Sequence, residues 1–184
     1  MISVGFDPGF AFLGCGVIES TASTTRVLHH ETFKTTSKES AEARLDAIAD
    51  YIGDILEQFK PHVIGYENQA GVEVGMQRMR EKEPDKAGSN YSSRRVHEVS
   101  GIIRCGARFY NLPCYCLAPN TIKLAVLGKG GGRAKKQRMK DAVRTFFQVV
   151  ASEHAADAIA VGIGAMRAHR HAMLSVNRSR SLIH

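Results

Sequence analysis

At 184 residues, with 43% hydrophobic and 23% charged residues, the chain suits one globular domain with a full-sized core. No apolar run is long enough to span a bilayer, and no basic segment followed by an apolar stretch opens the chain, so the sequence reads as cytoplasmic with no membrane partner. A formal charge of +7 favours a polyanionic partner.

Residues 2–7 read as the first strand: Ile2, Val4 and Phe6 alternate with smaller or polar neighbours. The strand ends on Asp7, and Pro8-Gly9 then turns the chain. A carboxylate at the inner end of an apolar strand is costly unless something offsets its charge, and a cation is the usual solution. Residues 14–19 read as a second strand, residues 20–23 as a polar turn, and residues 26–33 as a third strand that closes an antiparallel meander. Ser37 is a candidate N-cap for a helix over 38–59, whose core face is Ala41, Leu45, Ile48, Ile52, Ile55, Leu56 and Phe59. Pro61 follows the helix end. Residues 62–67 then form a short buried strand that, like the first, ends on an acid, Glu67.

Residues 72–93 mix charged, glycine and polar residues around Met76, Met79 and Tyr91, and read as a loop or excursion. A helix is predicted over 93–110, with Val96, Val99, Ile103 and Ala107 inward, then a strand over 112–117. Pro119-Asn120-Thr121 opens a short helix to Leu127, and a glycine-rich loop covers 128–132. A helix over 134–149 turns Met139, Val143, Phe146 and Phe147 inward. The last helix is predicted from Ser152 to His169, and residues 172–184 show little hydrophobic pattern. Cys15, Cys105, Cys114 and Cys116 have no metal-ligand spacing and read as buried, reduced thiols, with Cys114 and Cys116 taken to face opposite sides of a strand.

A meander followed by alternating strands and helices predicts an α/β fold: a five-stranded mixed sheet, antiparallel meander plus parallel strands, flanked by helices. Residues 1–170 read as one domain and 171–184 as a basic, flexible tail. The charge is uneven. Between residues 123 and 144 the only acid is Asp141, against Lys123, Lys129, Arg133, Lys135, Lys136, Arg138, Lys140 and Arg144. No acid follows Asp157, whereas Arg167, Arg170, Arg178 and Arg180 do. Basic residues interleaved with glycines suit a phosphate-binding surface.

Three features carry chemistry. Two strands end on acids, Asp7 and Glu67. At the start of the last helix, His154 and Asp157 share one face, among alanines small enough to let that face press on the sheet. Grouped acids repel one another unless divalent cations lie between them; oxygen-rich donors suit Mg²⁺ or Mn²⁺, and one imidazole excludes neither. Two such ions about 4 Å apart stabilise both the attacking and the leaving oxygen of a phosphodiester.

Gly5-Phe6-Asp7-Pro8-Gly9, followed by residues 14–18, resembles the first motif of the RuvC-type Holliday-junction resolvases of the RNase H-like superfamily. Ile64-Gly65-Tyr66-Glu67 is similar to that family's second acidic strand, and residues 154–160 to its C-terminal helix motif. Residues 121–136 resemble its basic segment. The resemblance implies a homodimer that cuts four-way DNA junctions in paired symmetric strands, leaving 5′-phosphate and 3′-hydroxyl ends, with a branch-migration helicase as a further partner. It implies that Asp7, Glu67, His154 and Asp157 hold two Mg²⁺ ions, with Mn²⁺ as a substitute. Lys123 and Lys136 would meet the phosphate, with Lys135 in competition, and Lys129 and Arg133 would lie along the DNA.

One departure concerns junction recognition. The aromatic residue that family members carry three positions after the second acid is Ala70 here, which leaves Met76, Met79 or Tyr91 to stack on bases, or implies looser selectivity among branched DNAs. Competing readings are an RNase H-like ATPase or kinase, disfavoured by chain length, and a non-catalytic DNA-binding module, disfavoured because every expected ligand position is filled.

Overall fold

The computed structural model describes residues 1–68, 90–133 and 136–181. Strands β1 (Ile2–Asp7), β2 (Phe12–Ser20) and β3 (Thr25–Lys34) precede helix α1 (Ala41–Phe59). Then come β4 (Val63–Glu67), α2 (Asn90–Phe109), β5 (Cys114–Leu117), α3 (Pro119–Leu127), a 3-10 turn at Gly131–Arg133, α4 (Lys136–Phe147) and α5 (Glu153–Ser181). The sheet order is β3-β2-β1-β4-β5. The β1–β2 and β2–β3 pairs are antiparallel; β1–β4 and β4–β5 are parallel. This is the predicted mixed sheet.

Alternation along the strands sorts side chains onto two faces. On one face Val4, Phe6, Cys15, Val17, Ile64 and Tyr66 pack under Ile48, Ile52, Ile55 and Leu56 of α1 and Val99, Ile103 and Ala107 of α2. On the other, α5 crosses the sheet and meets α3 and α4 through Ile122, Met139, Val161 and Ala165. This second face carries glycines. A Cβ on Gly5 would collide with the backbone of Ala158 and Gly162, and one on Gly16 would lie 2.6 Å from the Ile159 nitrogen. The α5 backbone therefore rests on the strands themselves, and the buried Ser3 hydroxyl donates to the Gly162 carbonyl at 3.0 Å.

The structure corrects several local readings. Helix α1 starts at Ala41, capped by Ser40 rather than Ser37; the Ser40 hydroxyl accepts from the Ala43 N–H at 3.1 Å. Strand β2 begins two residues earlier than expected, at Phe12. Helix α5 continues to Ser181, well past His169. Met173 and Leu174 are exposed there, so the extension has helix-forming residues but no core face to create a periodic pattern. Phe146 points outward and is 63% exposed, while Phe147 packs beside Val143. Only Cys15 of the four cysteines is buried. Cys114 and Cys116, two apart on β5, share a face rather than opposing each other. Both lie beside Tyr66, whose hydroxyl is pushed up to about 12, first by burial and then by its hydrogen bond with Cys116. Among the described residues, no helix is long and apolar enough to cross a membrane.

Candidate active site

Asp7 closes β1 and Glu67 closes β4. The last paired residues of these parallel strands are Phe6 and Tyr66, so the two acids follow side by side. Both fall on the α5 face, two residues beyond Gly5 and Gly65, whose α5-side contacts are Ala158, Gly162, Val161 and Ala165. On the other flank Asp7 pairs with Gly14, which presents no side chain. The space above Gly14 is filled by the His154 carbonyl. The first turn of α5 is thereby seated over the end of β1.

The α5 N-terminus is held in place locally. Ser152 caps it, its hydroxyl accepting from the Ala155 N–H at 3.2 Å. Thr32 of β3 ties that cap to the sheet by a 2.5 Å hydroxyl–hydroxyl hydrogen bond. From this seat His154 Nδ1 meets Asp7 Oδ2 at 2.7 Å. Asp157, one turn along, lies on the same helix face. The Asp7 side chain is 14% exposed and that of His154 41%, so the pair sits at the mouth of the site and not in the core. The His154 pKa is raised: its hydrogen bond to Asp7 is the largest cause, partial burial opposes it, and the charges of Asp7, Glu153 and Asp157 add to it.

Three carboxylates and one imidazole are a donor set that suits a hard or borderline divalent cation. Among the described residues no three such side chains stand close enough to cage an ion. What the fold brings together is the Asp7–His154 pair, with Glu67 on the adjacent strand and Asp157 one helical turn away.

The basic candidates lie on α3, the loop after it and α4. Lys123 lies on α3 and is half-buried; Lys129 is exposed in the loop that follows. Arg133 ends the 3-10 turn and Lys136 opens α4. Lys135, Met76 and Met79 lie outside the described residues, and Tyr91 falls in the first turn of α2.

Two features of the site are absent from the sequence reading. The Phe12 ring stacks on His154, with centroids 5.7 Å apart and planes 9° apart. Behind it, the Arg44 guanidinium lies 3.7 Å from the centre of the Phe10 ring. Arg44 Nε also donates to Thr35 Oγ1 at 2.9 Å, and that hydroxyl donates to the Phe10 carbonyl at 2.6 Å. The available signal was two phenylalanines crowded into a turn beside a site acid.

The chain is similar to known proteins. The family model for crossover junction endodeoxyribonuclease RuvC matches residues 3–73, a stretch that contains both acidic strands. The curated RuvC of Natranaerobius thermophilus is 25% identical over 171 residues, covering 92% of this chain and 97% of its own. That of Thermotoga maritima is 27% identical over 161 residues, covering 86% of each chain. The solved structure of Thermus thermophilus RuvC in complex with a Holliday junction substrate superimposes with a TM-score of 0.73 at 26% identity, over 89% of this chain and 92% of that one. The chain is thus similar to RuvC proteins over most of its length. Asp7 and Glu67 end neighbouring strands, and the first turn of α5, with His154, lies over the end of β1. The order β3-β2-β1-β4-β5 places the two acidic strands at its centre.

Proposed function

We propose that this chain is a RuvC-type, structure-selective endonuclease that resolves four-way DNA junctions by metal-dependent phosphodiester hydrolysis. The observation that carries this reading is the delivery of His154, at 2.7 Å, onto the acid that ends the central strand, with Glu67 beside it. Bound Mg²⁺, or Mn²⁺ in its place, would activate water and neutralise charge on the scissile phosphate.

The chain's own residues do the rest. Asp7, Glu67 and Asp157 would supply oxygen ligands from β1, β4 and α5. His154 supplies a nitrogen once it has lost its proton, and in its protonated form it balances the charge of Asp7. Lys123 and Lys136 contact the phosphate, and Lys129, Arg133 and Lys135 extend the basic track along the DNA. A homodimer would present two such sites to symmetric strands and leave 5′-phosphate and 3′-hydroxyl ends. A helicase that migrates the branch would act on the same substrate.

A second reading keeps the chemistry and loosens the substrate. Ala70 stands where relatives carry a probing aromatic residue, so forks and other branched DNAs would be cut as well. The test is a panel of labelled four-way junctions, replication forks, RNA–DNA hybrids and linear duplex in Mg²⁺. Preference for the four-way junction supports the first reading, and equal junction and fork cutting supports the second. Equal cutting of linear duplex overturns both.

A further inference from the structure

Phe12 has no metal-ligating atom and belongs to none of the three apolar clusters of the core. It opens β2 and is 45% exposed, an unfavourable place for a large apolar ring unless the ring covers something. What it covers is one face of the His154 imidazole. Centroids 5.7 Å apart in nearly parallel planes fall within the range of attractive offset stacking.

The hydrogen bond to Asp7 fixes one atom of the imidazole and leaves its plane undetermined. The outer torsion of histidine is broad, so a ring held at one atom can still tilt about that contact. A stack fixes the plane. The two constraints together fix both the Nδ1 contact to Asp7 and the tilt of the ring.

Phe12 is itself held from both sides. Downstream, the Asp7–Gly14 pairing locks β2 against β1. Upstream, Thr35 takes the turn in hand: its N–H donates to the Ala11 carbonyl at 3.2 Å and its hydroxyl to the Phe10 carbonyl at 2.6 Å. Arg44 braces both the Thr35 hydroxyl, at 2.9 Å, and the Phe10 carbonyl, at 3.4 Å.

We propose that Phe12 is a positioning residue that acts through His154, holding the imidazole plane so that Nδ1 addresses Asp7 and the site they share. The proposal rests on the reading of His154 as part of the active site.

The test uses metal-free and metal-loaded full-length protein with Phe12→Leu, Phe12→Met and Phe12→Tyr. In the metal-free protein, long-range ¹H–¹⁵N spectra of labelled histidines give the His154 signals, assigned by their loss in His154→Ala. The expected result is a ring-current-shifted His154 with one dominant tautomer in wild type and Phe12→Tyr, and averaged, unshifted signals in Phe12→Leu and Phe12→Met. Single-turnover junction cleavage should fall about three- to tenfold in the Leu and Met variants, the factor that an aromatic pair of this geometry supplies, with junction affinity unchanged. An unchanged His154 spectrum in Phe12→Leu overturns the proposal. So does a loss of junction affinity at constant cleavage rate, which would make Phe12 a DNA contact. If wild type itself does not cut, the functional reading fails and the metal-free spectra still decide the role of Phe12.

Discussion

His154 Nδ1 lies 2.7 Å from Asp7 Oδ2, although 147 positions separate them in the chain. The contact exists because α5 lies on a glycine-lined sheet face and begins directly above the end of β1. On the proposed reading, proton and metal would compete for one imidazole.

That competition sets a pH dependence. The folded-state pKa of His154 is raised, chiefly by the hydrogen bond to Asp7. The protonated pair therefore stabilises the metal-free protein fully below the unfolded-state value, and this contribution is lost as pH rises through the higher folded-state value. Metal binding runs the other way, since only neutral imidazole ligates. Cleavage should therefore decline as pH falls through the raised value, and His154→Asp should remove that inflection. A pH–rate profile flat between about pH 5.5 and 8 would exclude His154 as a ligand.

Metal should stabilise the fold. An ion that binds only the native state, at a hundred times its dissociation constant, adds about 2.7 kcal/mol. Mg²⁺ or Mn²⁺ should raise the melting temperature of wild type and raise that of Glu67→Gln or Asp157→Asn much less. An equal shift in all three proteins would place the ion elsewhere.

The close approach of α5 should be intolerant of a single methyl group. Gly5→Ala places a Cβ against the backbone of Ala158 and Gly162, which cannot swing aside as a side chain can. Overpacking of this kind costs about 1–3 kcal/mol, or a loss of several degrees in melting temperature. Gly53→Ala, where nothing lies within 4 Å, is the control and should be neutral or slightly stabilising. Equal melting temperatures for the two variants would refute the contact.

These contrasts show what the sequence makes visible. An apolar strand that ends on a carboxylate is a local anomaly, so Asp7 and Glu67 stood out, and period-two alternation puts both on one face. His154 and Asp157 stood out because a helix among alanines has little reason to carry them. The stack of Phe12 on His154 joins elements from opposite ends of the chain and leaves no periodic mark. The α5 extension past His169 was missed for a related reason: its outward Met173 and Leu174 give it no amphipathic stripe. Phe146 fits a helical core pattern on paper, in line with the buried Met139 and Val143, yet at the last turn of α4 it is 63% exposed.

The basic track should act on affinity more than on chemistry. Lys129→Ala should weaken junction binding uniformly and lower the slope of log affinity against log salt by about one. Lys123→Ala should in addition slow the bound-state cleavage step. If Lys129→Ala alters the cleavage step and leaves the salt slope unchanged, the track does not bind phosphate.

The central claim is that Asp7 anchors one metal-dependent site with Glu67, His154 and Asp157. Single-turnover cleavage of an end-labelled four-way junction, wild type against Asp7→Asn in saturating Mg²⁺, tests it most directly. Wild type should cut symmetric strands, and Asp7→Asn should bind the junction normally but cut at least about a hundredfold more slowly, the scale on which loss of a key active-site group acts. Cleavage by Asp7→Asn at the wild-type rate would contradict the account.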